Sequence, residues 1–226
     1  MIRETKFSSI DAAAISLAED LAAILTEAID SSGQAYFAVS GGRTPRFVFR
    51  HLRKMHLDWS RVIVTLTDER WVPVSDPHSN ERLVRSQLLQ GEAAAATFIP
   101  LYGGESSPEE GRAACDERLM AVGKSLDAVY LGMGGDGHFA SLFPGDPAID
   151  VREGLCAAVA EKSYRVGRMS LTATSILAAK KLMLLYAGPV KHAVYKEAKK
   201  PGSYHDLPLR LVLQQVQTPV EVLSVP

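Results

Sequence analysis

LGMGGDGHFASLFPG, residues 131–145, admits two readings, and the choice between them decides the fold. Gly132-Met133-Gly134-Gly135-Asp136-Gly137 fits G-x-G-x-x-G, the turn that opens a dinucleotide-binding βαβ unit. The same stretch carries Asp136 and His138, two residues apart, as an active-site loop would. A dinucleotide loop needs a helix that starts within it, whose N-terminus holds the pyrophosphate, and an acid about 20 residues on that closes the next strand. Here only HFASLF is left for a helix, because Pro144 and Gly145 cut it off. The glycines follow a late strand rather than the first, and the strand predicted at 155–160 has only Glu161 near its end. The stretch therefore reads as a glycine-rich active-site loop in a different α/β fold. A second decoy, Gly123-Lys124-Ser125, resembles the end of a P-loop, but Arg118 stands where the partner glycine belongs. It reads as a C-terminal helix stop.

Working outward, strand and helix patterns alternate. Helical spacing of Ile10, Ala14, Leu17, Leu21, Ile24, Leu25 and Ala28 predicts a helix over 9–31, capped by Ser8 or Ser9 and stopped by Gly33. AYFAV (35–39), VIVTL (62–66), FIPL (98–101), DAVYLG (127–132), LCAAVA (155–160), RMSLT (168–172), KLMLLYAG (181–188) and VEVLSV (220–225) read as strands. Helices are predicted for RFVFRHLRKM with Thr44 as cap, and for ERLVRSQLL behind Ser79 or Asn80. Others open at the Ser107-Pro108-Glu109-Glu110 capping box and run to about Val122, cover TSILAAK, run from Pro189 through Glu197, and lie near 208–216. Such alternation argues for a single α/β domain over 1–226, with a mostly parallel sheet covered by helices on both faces. Ligands then bind beyond the carboxyl ends of the strands, so the polar loops 40–46, 67–80 and 132–145 are expected on one edge.

Composition narrows the function classes. The 226 residues suffice for one domain with a substantial core. A net charge of −1 gives no general pull toward nucleic acid or an anionic membrane, so any anion must meet a local cluster of Arg and Lys. No apolar run approaches the ~20 residues of a membrane span. The N-terminus has no apolar stretch of a secretory leader. Cys115 and Cys156 read as two isolated thiols suited to a reducing cytosol. Neither the His residues nor the cysteines have metal-ligand spacing, and G-x-S-x-G of a serine hydrolase is absent. No cofactor or metal is expected.

Three stretches carry chemistry. In Ser40-Gly41-Gly42-Arg43-Thr44-Pro45, two glycines turn backbone N–H groups toward an anion, two hydroxyls add donors, and a helix N-terminus adds partial positive charge. A phosphate or a sugar oxygen fits there; so does a plain turn with a helix cap. Asp68-Glu69-Arg70 follows the strand VIVTL at the start of a long polar loop, where Arg70 is a candidate for orienting a substrate or stabilising a developing oxyanion. Trp71 reads as packing, and Asn80 as a helix cap. His138, with an ordinary histidine pKa near 6.5, is a workable general base at neutral pH. Asp136 could hold its tautomer, fix the loop, or serve only as a turn residue.

Together SGGRTP (40–45), TDERWVPVSDPHSN (67–80) and LGMGGDGHFASLFPG resemble the glucosamine-6-phosphate deaminase/6-phosphogluconolactonase family, and the resemblance extends to RMSLT and Gly188-Pro189-Val190-Lys191. It implies a modified Rossmann-like three-layer sandwich. SLFPG after the histidine favours the lactonase branch, and hence hydrolysis of 6-phospho-D-glucono-1,5-lactone in the oxidative pentose phosphate pathway. The family pattern implies that Arg168 and Lys191 bind the 6-phosphate. It also places Asp68 where the deaminases carry a base, with a positioning role expected in a lactonase. Gly135 and Phe139 depart from the pattern, which often has Pro or Glu and Thr there; neither change removes a titrating group. The expected partner is a small sugar phosphate, met by a cytoplasmic monomer or weak homodimer. The alternatives are a deaminase or isomerase of the same family, and a sugar-phosphate-sensing domain of the kind found in repressors. The latter predicts an attached DNA-binding segment or basic patch, and neither is visible.

Overall fold

The structure, a computed structural model, describes residues 1–120 and 125–226. Its strands are β1 (Ile2–Lys6), β2 (Ala35–Val39), β3 (Val62–Leu66), β4 (Asp68–Arg70), β5 (Thr97–Ile99), β6 (Ala128–Leu131), β7 (Cys156–Val159), β8 (Arg168–Leu171), β9 (Leu182–Ala187) and β10 (Val220–Val225). The helices are α1 (Ile10–Ser32), α2 (Pro45–Leu52), α3 (Asn80–Gln87), α4 (Pro108–Met120), α5 (Ala173–Leu177), α6 (Pro189–Ala198) and α7 (Arg210–Leu213).

Seven strands form a wholly parallel sheet in the order β1-β10-β9-β6-β2-β3-β5. Its centre is apolar on both faces: every residue of β2 and of β6 is buried, as a parallel strand sandwiched between helices requires. Against the sheet α1 lays a stripe of Ala13, Ala14, Leu17, Ala18, Leu21, Leu25 and Ala28. Each buried leucine in that stripe contributes roughly 1.5–3 kcal/mol, while the alanines let helix and sheet approach closely. Ser9 caps α1 by accepting from the Ala12 N–H at 3.2 Å, and Gly33, at φ 82°, ends it.

Several local expectations change. Ile2–Lys6, outside every predicted element, is β1: it is an edge strand paired with β10, so its charged side chains have solvent to face. Asp68-Glu69-Arg70, read as loop, forms β4. LCAAVA and RMSLT are strands, but they leave the main sheet and join β4 in a second, antiparallel sheet of order β4-β8-β7. The connection is Thr67, whose N–H bonds Val39 O in the main sheet and whose carbonyl accepts from Leu171 N in the small one. HFASLF makes no helix; Phe139 and Leu142 bridge across a tight reversal that holds Ala140 at φ 49°. Near the C-terminus the predicted helix shrinks to four residues, α7. The capping serine before α4 is Ser107, which accepts from Glu110 N. The helix end near Val122 and the Gly123-Lys124 stop lie outside the described residues.

Cys115 of α4 and Cys156 of β7, isolated in sequence, are neighbours in the fold; both are buried and free. Among the described residues no helix is long and apolar enough to cross a membrane.

Candidate active site

Chain order turns back at the middle of the main sheet. From β2 the connections run one way to β3 and β5; from β6 they run the other way to β9 and β10. Because β2 and β6 are neighbours, the loops at their carboxyl ends separate and leave a crevice. Ser40 N donates to Tyr130 O, and Gly132 N donates to Ser40 Oγ, which also pairs with Thr67 Oγ1 at 2.9 Å. These bonds clamp the three strand ends, so the three polar loops do meet on one edge. The crevice is a cavity of about 210 Å³, below the drug-sized range of ~300–1,000 Å³. That suits one small polar metabolite. A larger cavity of about 410 Å³, lined by Ile63, Leu126, Leu171 and other mostly apolar side chains, holds no such convergence of charged groups.

One wall is the Ser40–Thr44 turn into α2. Pro45 occupies the first helical position, and Thr44 makes no side-chain cap. The backbone N–H groups of Gly41, Gly42, Arg43 and Thr44 donate to no protein acceptor among the described residues, so they remain available to an anion beside the helix N-terminus. Lys191, near the start of α6, lines the same cavity. Burial, and then the charge of Arg43, hold its pKa below the ordinary lysine value. A dianionic ligand would relieve both effects.

A second wall is β4. Strand alternation sends Asp68 and Arg70 to the cavity side and Glu69 to the opposite, fully buried side. Asp68 Oδ2 accepts from Ser141 Oγ at 2.6 Å and from Arg168 Nη1 at 3.3 Å. Arg168 faces Arg70 across the antiparallel ladder. Burial lowers the Arg168 pKa, Asp68 opposes this, and Arg70 and Arg165 add to it. Arg168 Nε is buried without a hydrogen-bond partner among the described residues. Asn80, the first residue of α3, does more than begin a helix, since Ser79 Oγ supplies the cap. Its Nδ2 donates to Asp68 O at 2.8 Å, and its Oδ1 accepts from Arg70 Nη1. The amide lies where a Cβ on residue 41 would be, which requires glycine there.

The third wall is the 132–145 loop. His138 Nδ1 lies 2.6 Å from Asp136 Oδ1, which also accepts from the His138 N–H at 3.2 Å. Asp136 is thus both orienter and turn residue. The bond assigns the proton to Nδ1 and leaves Nε2 as the acceptor. Burial raises the Asp136 pKa, but hydrogen bonding and charge from His138 outweigh it and hold the carboxyl below the ordinary aspartate value. Gly134 makes room for this pair: a Cβ there would strike the imidazole and the carboxylate. Phe143 packs beside His138 with ring centroids 4.5 Å apart, and its ring lies 4.1 Å from the Arg165 guanidinium carbon. Arg165 in turn bonds Asp146 at 2.6 Å.

Ser40, Gly41, Gly42, Arg43, Thr44, Asp68, Arg70, His138, Arg168 and Lys191 all line this one cavity, and Asp136 reaches it through His138. Sequence inspection gave Asn80 only a capping role, named Glu69 without a role of its own, and passed over Ser141. Alternation within Asp68-Glu69-Arg70 was a usable signal that Glu69 faces elsewhere. Nothing local marks Ser141, whose partner Asp68 is distant in sequence. Among the described residues no group of three or more His, Cys, Asp or Glu could hold a metal ion.

A family profile described as "Glucosamine-6-phosphate isomerases/6-phosphogluconolactonase" matches residues 8–220. A 6-phosphogluconolactonase of Rhizobium meliloti is 39% identical over 226 residues, covering 97% of each chain. One of Mesorhizobium japonicum is 42% identical over 221 residues, covering 94% of this chain and 91% of the relative. The crystal structure of a 6-phosphogluconolactonase from Shewanella baltica superposes with a TM-score of 0.97 at 37% identity, over 100% of this chain and 98% of the other.

Proposed function

The chain belongs to the glucosamine-6-phosphate isomerase/6-phosphogluconolactonase family, and from that membership we propose that it hydrolyses 6-phospho-D-glucono-1,5-lactone to 6-phosphogluconate in the oxidative pentose phosphate pathway. The observation that carries the mechanism is the His138–Asp136 pair, at 2.6 Å, opening onto a cavity rich in cations.

The substrate phosphate binds the N–H groups of the Ser40–Thr44 turn together with Lys191, Arg168 and Arg43. Charge-assisted bonds to a dianion are the strong class of hydrogen bond. His138 Nε2 takes a proton from water as the water oxygen attacks C1. The carbonyl oxygen becomes an alkoxide, which Arg70 stabilises. The tetrahedral carbon then collapses, the C1–ring oxygen bond breaks, and the imidazolium returns its proton to the departing oxygen. The ring opens to a free hydroxyl and a carboxylic acid, which ionises in water. Asp68 is already committed to Ser141 and Arg168, so it positions groups rather than carrying the proton. No cofactor or metal enters these steps.

We further read residues 1–226 as one cytoplasmic domain acting as a monomer or weak homodimer. The two buried, free thiols suit a reducing compartment.

The test is a coupled assay in which glucose-6-phosphate dehydrogenase generates the lactone. Loss of lactone is then followed with and without the protein, and the spontaneous rate is subtracted. No acceleration, or release of ammonia from glucosamine 6-phosphate instead, would overturn the assignment.

A further inference from the structure

We propose that Glu69 is a positioning residue for this reaction: its buried carboxylate ties the start of α3 to β4 and thereby sets Asn80, which holds Arg70 at the cavity. The proposal rests on the role given to Arg70 above.

Glu69 is wholly buried on the side of β4 away from the substrate cavity. Its Oε1 accepts from Asn80 N at 2.7 Å and from Arg70 N at 2.8 Å. Its Oε2 accepts from Glu81 N at 2.7 Å and from Ser79 Oγ at 3.0 Å. Three of these four donors belong to residues 79–81, where α3 begins, and the fourth to Arg70 itself. All four are donors, so the arrangement is built for an ionised acceptor at a helix N-terminus. A charged carboxylate buried this deeply is expensive and needs a return beyond one helix cap, because Ser79 already supplies that cap.

The return is geometric. Asn80 has its backbone N–H on Glu69 and its side chain on both Asp68 O and Arg70 Nη1. Releasing the backbone would let the amide withdraw and free the guanidinium. Among the described residues the Arg70 guanidinium has one other protein acceptor, His78 O at 3.1 Å, which lies just ahead of the same helix and would move with it. The charged residues beside Glu69 are Asp68 and Arg70 on β4 and Glu81 on α3, whose carboxylate pairs with Arg85; across the ladder Glu69 faces the apolar Met169. Burial pushes the Glu69 carboxyl up to about 7, against the pull of its four hydrogen bonds. Ionisation of the clamp therefore falls in the range where the enzyme would work.

Glu69→Gln tests this, because an amide keeps one acceptor oxygen and turns an NH2 either toward the Asn80 and Arg70 N–H groups or toward the Glu81 N–H and the Ser79 hydroxyl. The expected result is a kcat lowered about 10-fold or more, a KM within about 3-fold of wild type, and loss of one ionisation from the acid limb of the kcat–pH profile. Ser9→Ala, which removes the remote α1 cap, is the stability control and should lower Tm alone. Wild-type kcat and pH profile in Glu69→Gln would overturn the proposal. Should that variant fail to fold, Glu69→Asp keeps the charge but shortens its reach; a kcat loss at unchanged KM supports the clamp, and wild-type kinetics overturn it. Arg70→Ala separates the two readings. Full turnover there sinks the oxyanion role, whereas slow turnover beside an active Glu69→Gln sinks the Glu69 proposal alone.

Discussion

His138 keeps one ring nitrogen on Asp136 and leaves the other free toward the cavity, so each residue's contribution depends on the other's presence. His138→Ala should lower kcat by roughly 10²–10⁴-fold, the usual worth of a placed general base, with the far-UV spectrum unchanged. Asp136→Asn should lower kcat as well, and the double variant should be no slower than His138→Ala, since residues acting as a unit do not add. Additive losses in a double-mutant cycle would mean that Asp136 acts elsewhere. In the proposed reaction Lys191 belongs to binding rather than chemistry. Lys191→Ala should raise KM by roughly 10–100-fold, the range of a lost charged hydrogen bond, with little change in kcat. Equal losses in both constants would place Lys191 in the transition state instead.

At the scale of elements, loops and short strands make the site while helices and long strands hold it still. The 132–145 loop shows how. Its glycines match a cofactor fingerprint by spacing, yet Gly134 serves to leave room for the His138–Asp136 pair, and the turn at 139–142 replaces the helix a dinucleotide would need. Gly134→Ala should thus cut kcat about 10-fold or more by displacing the imidazole, with Tm nearly unchanged because the loop ends remain bonded. Wild-type turnover in that variant would show that the pair tolerates the extra methyl. The element least legible in sequence was β4: three consecutive charged residues look like a solvated turn. Only the presence of β8 beside them supplies the ladder partners that make them a strand.

For the whole molecule, Glu69 links stability to pH. Its carboxyl rises from an ordinary value of 4.5 to about 7 on folding, so the native state binds its proton more tightly than the unfolded chain does. The resulting stabilisation is fully present below pH 4.5 and is lost as pH rises through about 7, a span worth about 3 kcal/mol. Denaturant midpoints measured from pH 4.5 to 8 should show this decline in wild type, and Glu69→Gln should flatten it. An unchanged slope would assign the linkage to other groups. The clamp works in its less stable, ionised form, so the same fold gives up stability over the pH range in which it gains activity.

The chain by itself determined the alternation of strands and helices, because apolar periodicity is a local property, and it determined the chemistry of the SGGRTP turn and of the Asp136–His138 pair, because both lie within a few residues. The main sheet and the three loops on its edge follow from that pattern. Tertiary structure decided the rest. Asp68 meets Ser141 and Arg168, and Glu69 meets the start of α3, only because two sheets join at Thr67 and bring distant segments together. Contacts between residues 10 to 100 positions apart depend on how strands are ordered and where the chain turns back. No local pattern encodes that order.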